Sequence, residues 1–318
     1  MILLLGGTGY LGEAFRCELQ RRELPFRNLS RSEVDYTRFD PLLAFLKANQ
    51  PEFVINCAGF TGKPNVDACE AARADTLLGN AVLPLTIAAA CSAADIPWGQ
   101  VSSGCIYTGA KIVENGVQRV EKDLTQPELR ALAENSPDSV RGFTEADVPN
   151  FSFRDGPCSF YSGTKALGEE VMRGVGRSYI WRPRIPFDEF DNPRNYLSKV
   201  QRYAKVYDNV NSISHRSDFA AACLDLWVKR APFGIYNVTN PGFVTTRQVI
   251  ALVEKFLKPA RRFEFWASDA EFYQVAAKTP RSNCVLDTTK LLAAGVKMRP
   301  VLEALEDALR YWKAEKQL

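Results

Sequence analysis

Histidine is almost missing from this sequence, which has one, His215, among 318 residues. This scarcity argues against a metal site built on several histidines and against a Ser-His-Asp triad. Excess charge is missing too, because 40 Lys and Arg against 37 Asp and Glu leave a net charge of only +3. A surface that binds nucleic acid or an anionic membrane is usually far more basic. We therefore expect neither partner.

Long apolar runs and paired cysteines are also lacking. No uninterrupted apolar run approaches the ~20 residues of a membrane span, and the first residues have no basic segment of the signal-peptide type. Eight cysteines are scattered along the chain without a CxxC pair. This usage is typical of a protein with free thiols in a reducing compartment. The composition thus predicts a cytoplasmic protein with no bound metal.

Short apolar strands alternate with helices along the first 180 residues. The strands are predicted at 2–5, 26–30, 53–57 and 97–102. The helices between them are predicted at 10–22, 41–49 with Asp40 as the cap, and 75–93. This alternation predicts an α/β fold with a Rossmann-type, doubly wound parallel sheet.

Further elements are predicted along the rest of the chain, part of which is expected to form a second, smaller unit. Elements are expected at 161–173, 178–182, 218–229, 234–238, 246–256 and 301–312. We predict an NADP-binding Rossmann domain at 1–180, extended by about 205–240, and a substrate-binding lobe made of about 181–204 and 241–318.

Residues 110–158 form a polar stretch with four prolines and one predicted helix, at 126–134. Long loops in compact domains are often lids or binding loops. A tolerated surface insertion is the alternative, and the sequence leaves both open.

A glycine-rich turn follows the first strand and precedes the first helix. Gly6, Gly9 and Gly12 have the GxxGxxG spacing, in which glycine allows a tight turn and a close approach of the backbone to a pyrophosphate. The free N–H groups at the start of the helix then face the phosphates. The predicted cofactor contacts here are Gly6, Thr8, Gly9, Tyr10, Leu11 and Gly12.

The end of the second strand indicates which dinucleotide is bound. An acidic residue there would bind the ribose hydroxyls of NAD, whereas this chain has Ser30 and Arg31. A hydroxyl and a guanidinium suit a 2′-phosphate, so NADP is favoured and NAD stays possible. Further predicted cofactor contacts are Asp35 and Tyr36 near the adenine, and Cys57, Ala58 and Gly59 after the third strand.

Tyr161 and Lys165 form a YxxxK motif on a predicted helix. The i, i+4 spacing puts the phenol and the ammonium on one face, where the lysine charge favours the tyrosinate. The phenol can then give a proton to a substrate oxygen as a hydride reaches the carbon. Ser102 and Ser103, at the end of the fourth strand, are predicted to hydrogen-bond the same oxygen.

In these motifs the chain resembles the extended short-chain dehydrogenase/reductases. More narrowly, it is similar to dTDP-4-dehydrorhamnose reductases and to plant bifunctional nucleotide-rhamnose synthase/epimerase-reductases. The segments that carry the resemblance are Gly6–Gly12, Asn56–Asp67, Ser103–Tyr107, Tyr161–Lys165, Asp191–Asn195, Arg281–Asn283 and Leu286-Asp287.

The resemblance implies NADPH-dependent reduction of the 4-keto group of a nucleotide-linked 4-keto-6-deoxy sugar. Tyr161 would be the acid, Lys165 its support, and Ser103 would bind the carbonyl. In the bifunctional branch a Cys and a Lys also invert carbons 3 and 5, and their matching positions are Cys105 and Lys199. Plain reductases of the family usually carry Asp-Tyr where this chain has Gly104-Cys105. The remaining predicted substrate contacts are Thr61, Lys63, Arg194, Asn195, Arg281 and Asn283.

Other functions remain open from the sequence alone. The chain could be a plain 4-reductase on a related sugar, or a non-catalytic regulatory subunit that binds a dinucleotide and a partner enzyme. A regulatory subunit would be expected to have lost Ser103, Tyr161 and Lys165, which this chain keeps. A homodimer is also possible.

Overall fold

The computed structural model describes residues 1–313. The strands are β1 (Ile2–Leu5), β2 (Phe26–Leu29), β3 (Phe53–Asn56), β4 (Trp98–Val101), β5 (Ala110–Glu114), β6 (Val117–Glu121), β7 (Val140–Arg141), β8 (Ser178–Arg182), β9 (Pro186–Phe187), β10 (Lys205–Val206), β11 (Val210–Asn211), β12 (Ser214–His215), β13 (Gly234–Asn237), β14 (Val244–Thr245) and β15 (Glu264–Phe265). The helices are α1 (Tyr10–Arg21), α2 (Phe39–Asn49), α3 (Ala68–Ala71), α4 (Arg73–Leu77), α5 (Leu83–Ala93), α6 (Pro127–Asn135), α7 (Phe160–Val171), α8 (Tyr196–Arg202), α9 (Arg216–Val228), α10 (Thr246–Leu257), α11 (Asp269–Val275), α12 (Thr289–Ala293) and α13 (Val301–Arg310).

The main sheet has six strands in the order β2-β1-β3-β4-β8-β13. The pairs from β2 to β8 are parallel. Strands β1, β3 and β4 are buried along their whole length, as expected for strands covered by helices on both faces. The order reverses between β1 and β3, and in doubly wound sheets a ligand binds at the carboxyl ends of such strands. The predicted fold class is confirmed.

The chain divides into two units. The first comprises Met1–Ile106, Pro149–Arg182 and Cys223–Tyr236, and the second comprises Tyr107–Val148, Pro183–Ala222 and the chain from Asn237. These boundaries differ from the predicted ones chiefly because 107–148 belongs to the second unit. The last five residues of the predicted lobe, 314–318, lie outside the described residues.

The first unit has its core between the sheet and its helices. Leucine, isoleucine and alanine side chains of β1, α2 and α5 form one buried cluster. A second contact is between Gly99 in β4 and Trp181 in β8, where an added Cβ would lie 2.0 Å from the indole ring. Small residues thus allow the helices and large rings to pack closely on the strands.

The 107–148 segment is ordered rather than a long loop. It forms the antiparallel hairpin β5–β6, and β7 pairs with the other edge of β5. The hairpin turns at Asn115 and Gly116, both with positive φ, which is the geometry that an Asn-Gly turn favours. Its inner face packs with α6 in a buried cluster. The sequence analysis predicted α6 but missed the strands.

Two predicted helices differ in detail. Helix α2 begins at Phe39 with Arg38 as its N-cap, so the assignment of Asp40 as the cap is wrong. The predicted 75–93 helix extends from Arg73 and contains a π-helical turn at Leu78–Val82. Contrary to the sequence estimate, this helix is long and apolar enough to cross a membrane, but half of its apolar window is buried, as in a core helix.

Candidate functional site

The glycine turn between β1 and α1 is closed by backbone contacts. Gly6 has φ +73°, and Gly9 donates its N–H to the Gly6 carbonyl at 3.0 Å. A Cβ on Gly12 would lie 2.1 Å from that same carbonyl oxygen. The turn therefore needs glycine at Gly6, because the backbone there is left-handed, and at Gly12, because a side chain would clash with the Gly6 carbonyl.

A cavity of about 740 Å³ opens at the carboxyl ends of β1 and β3. Its lining residues are Gly6, Gly7, Thr8, Gly9, Asn28, Leu29, Ser30, Arg31, Tyr36, Thr37, Cys57, Ala58, Gly59, Phe60, Asp75, Leu78, Gly79, Val82 and Leu83. Most of the predicted cofactor contacts are among them. The exceptions are Tyr10, Leu11 and Gly12, which form the first turn of α1, Asp35, and the pair Tyr161 and Lys165, which was predicted to contact the cofactor as well.

The β2 end of the cavity is polar. Arg31 and Ser30 are exposed at its wall. The Tyr36 hydroxyl hydrogen-bonds the Gly6 backbone, and burial raises the pKa of Tyr36 while the nearby Arg31 opposes that rise. The Asp35 carboxylate instead accepts a hydrogen bond from the Thr37 hydroxyl, which holds its pKa below the usual value. Asp35 thus orders the loop rather than lining the cavity.

The cavity fits a dinucleotide on two further observations. Asn28 Oδ1 is buried with no hydrogen-bond partner among residues 1–313, and Asn28 lines the cavity, so an acceptor is available to a bound ligand. The glycine turn also presents backbone rather than side chains at the start of α1. The sequence analysis did not identify Asn28, which lies within β2, because it considered only Ser30 and Arg31 at the end of this strand.

The π-helical turn forms another wall, which the sequence analysis did not find. Asn80 in this turn accepts a hydrogen bond from Phe60 N at 3.0 Å and donates to Phe60 O at 2.8 Å. It also donates to the Thr164 hydroxyl at 3.3 Å. Asn80 therefore holds the loop after β3 against α7, which carries the YxxxK motif. π-Helical turns often occur at functional sites.

Tyr161 and Lys165 lie on α7, whose N-terminus is capped by the Ser159 side chain. Lys165 Nζ lies 5.9 Å from the centroid of the Tyr161 ring. A Cβ added to Gly59, which lines the cavity, would lie 3.4 Å from the same Nζ. The ammonium group of the predicted pair therefore lies close to Gly59, although neither Tyr161 nor Lys165 is among the residues that line the cavity.

The Lys165 side chain is only 6% exposed. Burial lowers the pKa of its ammonium group, and the neighbouring Cys105 and Glu169 partly offset this effect. A buried cation next to a phenol favours ionisation of the phenol. Lys165 is therefore placed close enough to act on the Tyr161 phenol.

The segment after β4 holds the predicted serines and cysteine. Ser103 Oγ accepts a hydrogen bond from Cys105 N at 3.2 Å. Cys105 is buried in the 3-10 turn Gly104–Ile106. Ser102, predicted to contact the substrate, instead donates its hydroxyl to Glu169 Oε1 at 2.6 Å inside the protein. That prediction is corrected, because the buried carboxylate uses the hydroxyl.

In the second unit, Lys199 lies within α8 and is partly buried. Burial lowers the pKa of its ammonium group, and the positive charge of Arg194 lowers it further. Asn195 caps α8 by accepting from Leu197 N at 2.9 Å, and its amide donates to Asp188 Oδ1 at 2.8 Å. Asn195 is fully buried, so its predicted contact with substrate is replaced by a structural role.

Arg281 and Asn283 lie in the second unit, on the segment between α11 and α12. Arg281 donates its backbone N–H to the Tyr273 hydroxyl at 3.1 Å. Burial raises the pKa of Tyr203, and the positive charge of the Arg281 guanidinium opposes that rise. Asn283 Oδ1 accepts from Asn211 at 3.0 Å, so one side of its amide is already used. In the first unit, Thr61 and Lys63 are exposed on the loop after β3.

Comparisons with known proteins show the family to which the chain belongs. The model of the RmlD substrate binding domain matches residues 1–313. A bifunctional dTDP-4-dehydrorhamnose 3,5-epimerase/dTDP-4-dehydrorhamnose reductase of Arabidopsis thaliana is 31% identical over 304 residues, covering 95% of this chain and 90% of the relative. Trifunctional rhamnose-synthesis proteins of the same plant also match, and the chain spans about 41% of their length.

Solved structures share the fold. The L780 UDP-rhamnose synthase of Acanthamoeba polyphaga mimivirus superposes with a TM-score of 0.80 at 22% identity, covering 98% of both chains. A dTDP-4-dehydrorhamnose reductase of Bacillus anthracis in complex with NADP has a TM-score of 0.74 at 18% identity, covering 98% of this chain and 97% of that one. The match of the family model over nearly the whole chain confirms the predicted resemblance: the chain belongs to the family of the RmlD substrate-binding domain.

Proposed function

We propose that the protein is an NADPH-dependent reductase of the 4-keto group of a nucleotide-linked 4-keto-6-deoxy-hexose. The observation that carries this proposal is the position of Lys165, whose Nζ lies beside Gly59 of the cavity wall and 5.9 Å from the centroid of the Tyr161 ring. A ketone reductase needs this combination, because the proton donor must meet the substrate beside the hydride donor.

The chemistry follows from the residues around that cavity. When bound, the dinucleotide supplies the hydride that reduces carbon 4. Tyr161 gives its phenolic proton to the oxygen of carbon 4, so that the ketone becomes an alcohol. Lys165 stabilises the tyrosinate left behind, and Ser103 holds the carbonyl oxygen as negative charge develops on it.

The preference for NADP rests on the β2 end of the cavity. Arg31 and Ser30 line it, and a guanidinium recognises a phosphate group better than a ribose hydroxyl. The family relative from Bacillus anthracis that shares the fold was solved with NADP, which supports the same choice.

The substrate class rests on the family and on cations of the second unit. Arg194 and Lys199 are close enough for the charge of one to lower the pKa of the other, and Arg281 is a further cation of this unit. Such groups suit the diphosphate of a nucleotide sugar. Thr61 and Lys63 complete the proposed substrate contacts from the loop after β3.

The reductase proposal is tested by NADPH oxidation with UDP-, dTDP-, GDP- and CDP-linked 4-keto-6-deoxy sugars. We expect oxidation with at least one of them and loss of turnover in Tyr161→Phe, with NADPH binding kept. No oxidation with any of these sugars, in a protein that still binds NADPH, would favour the non-catalytic regulatory alternative.

We also propose 3,5-epimerisation, with Cys105 and Lys199 as the proton-transferring groups. The supporting observation is that this chain has a thiol in the turn directly after Ser103, among the groups that act on Lys165. Carbons 3 and 5 flank the ketone, so their protons are acidified through an enolate whose oxygen Ser103 would bind.

The epimerase step is tested by deuterium exchange at carbons 3 and 5 in D₂O, followed by NMR. Cys105→Ser should abolish the exchange at one or both carbons, whereas Cys158→Ser, which removes a partly buried thiol nearby in the same unit, should leave it intact. Unchanged exchange in Cys105→Ser, with reduction preserved, would leave the plain 4-reductase as the function.

A further inference from the structure

A buried carboxylate continues the row of Tyr161 and Lys165 along α7. Glu169 lies four residues after Lys165, so the three side chains share one face of the helix. Glu169 is 2% exposed. A carboxylate is seldom buried to this extent without partners, and its partners indicate what it does.

Glu169 is held by the carboxyl ends of two neighbouring strands. Ser102, directly after β4, donates its hydroxyl to Glu169 Oε1 at 2.6 Å. Arg182, the last residue of β8, donates from Nη2 to Oε2 at 2.6 Å and from Nε to both oxygens at 3.0 Å. Arg182 is itself completely buried. The carboxylate thus ties α7 to the strand end from which Ser103 follows.

The same carboxylate acts on Lys165. Besides Tyr161, whose ring lies 5.9 Å away, the charged or titratable groups that act on the Lys165 ammonium are Cys105 from the 3-10 turn, Glu169 from α7, Cys69 from α3 and Cys57 after β3. Burial raises the pKa of the Cys57 and Cys69 thiols, which keeps them neutral. Glu169 is the carboxylate of this set, and it favours the charged form of Lys165 against the effect of burial.

We propose that Glu169 is a positioning residue of the reductase site, which keeps Lys165 charged and fixes the strand end carrying Ser103 relative to Tyr161. This inference rests on the proposed function, since it assigns a role in the same proton transfer. Stability alone is a poor explanation of the arrangement, because a buried ion pair is often no more stabilising than apolar residues of the same volume.

The test compares Glu169→Gln with Glu170→Gln. Glu170 is the next residue of α7, but it is exposed and pairs with the exposed Arg154, so it is a matched control. Removing a negative charge beside the Tyr161–Lys165 pair lowers the pH at which the pair loses its proton. We expect Glu169→Gln to move the alkaline limb of kcat down by about one pH unit, with KM little changed, and Glu170→Gln to match the wild type.

A second readout does not depend on turnover. The tyrosinate absorbance of Tyr161, obtained as the difference from a Tyr161→Phe background, should titrate at a different pH in Glu169→Gln than in the wild type, and at the wild-type pH in Glu170→Gln. If the wild type reduces no ketone but this titration moves, the proposed function fails, whereas the effect of Glu169 on the Tyr161–Lys165 pair is upheld. If the wild type turns over and neither readout moves in Glu169→Gln, the role of Glu169 is overturned and the reductase remains.

Glu169→Gln leaves Arg182 buried without its counter-charge, so it could fail to fold. In that case Glu169→Gln/Arg182→Gln, which removes both charges, takes its place. We expect the alkaline limb of kcat to move in the same direction as in Glu169→Gln but by less, because loss of the Arg182 charge opposes loss of the carboxylate. The carboxylate has the larger effect, since it lies on the same helix as Lys165. A double variant that folds and titrates like the wild type would refute the proposal.

Discussion

We expect Gly12→Ala to impair the stability of the protein and Gly9→Ala to impair its binding of NADPH. A Cβ on Gly12 would lie 2.1 Å from the Gly6 oxygen and 2.7 Å from the Gly7 Cα. Both neighbours are backbone atoms of the same turn, so no side chain can move aside. A Cβ on Gly9 would meet only the Gly6 oxygen, at 3.3 Å, and Gly9 lines the cavity.

The magnitudes follow from these contacts. Overpacking of this kind costs about 2 kcal/mol of unfolding free energy, which lowers the Tm by roughly 3 °C in a chain of 318 residues. We therefore expect Gly12→Ala to lose that stability. Gly9→Ala should keep the Tm within about 2 °C but weaken NADPH binding at least about tenfold, since the methyl group stands where a phosphate would approach.

The assay is a thermal melt of each variant without ligand, paired with a fluorescence titration of NADPH. The reasoning is refuted if Gly12→Ala melts with the wild type, or if Gly9→Ala binds NADPH as tightly as the wild type. Equal losses of stability in both variants would mean that the turn needs glycine for one common reason.

Other predictions concern the cofactor, pH and the carbonyl site. Arg31→Ala should raise the KM for NADPH about tenfold with the KM for NADH and the Tm unchanged, and an equal rise for both cofactors would contradict the 2′-phosphate role. Burial disfavours a charged His215, but its hydrogen bonds to Asp218 and Glu189 prevail and raise its pKa. Its stabilising effect is therefore present at acidic pH and lost as the pH rises through that pKa, so His215→Gln should lose more unfolding free energy in urea at pH 5.5 than at pH 9, and equal losses would refute this. Ser103→Ala should lower kcat about a hundredfold with the NADPH affinity kept, and an unchanged kcat would remove Ser103 from the site.

Local spacing explains why part of the site could be predicted. The glycine turn that begins at Gly6 is a short local pattern, and so is the pair Tyr161 and Lys165. Each pattern is complete within a few residues of sequence and can therefore be recognised without the fold. The structure adds that the two patterns are neighbours, because Gly59, which lines the cavity beside the glycine turn, lies next to the Lys165 ammonium group. The hairpin at Asn115 and Gly116 had the same kind of local signal, and it was missed because the polar composition of the stretch was given more weight than its turn.

Ser102 and Asn195, two predicted substrate contacts, already have buried hydrogen-bond partners in the fold. Ser102 looked available beside Ser103, but its hydroxyl is used by Glu169, 67 positions later. Asn195 matched a substrate-binding segment, but it caps a helix and bonds Asp188. A polar side chain in a motif has a free hydrogen-bonding group only if the fold leaves it one, and buried polar groups are almost always satisfied. Motif spacing therefore predicts which residues lie near a site, whereas the number of hydrogen bonds each has left over decides which of them can act on a ligand.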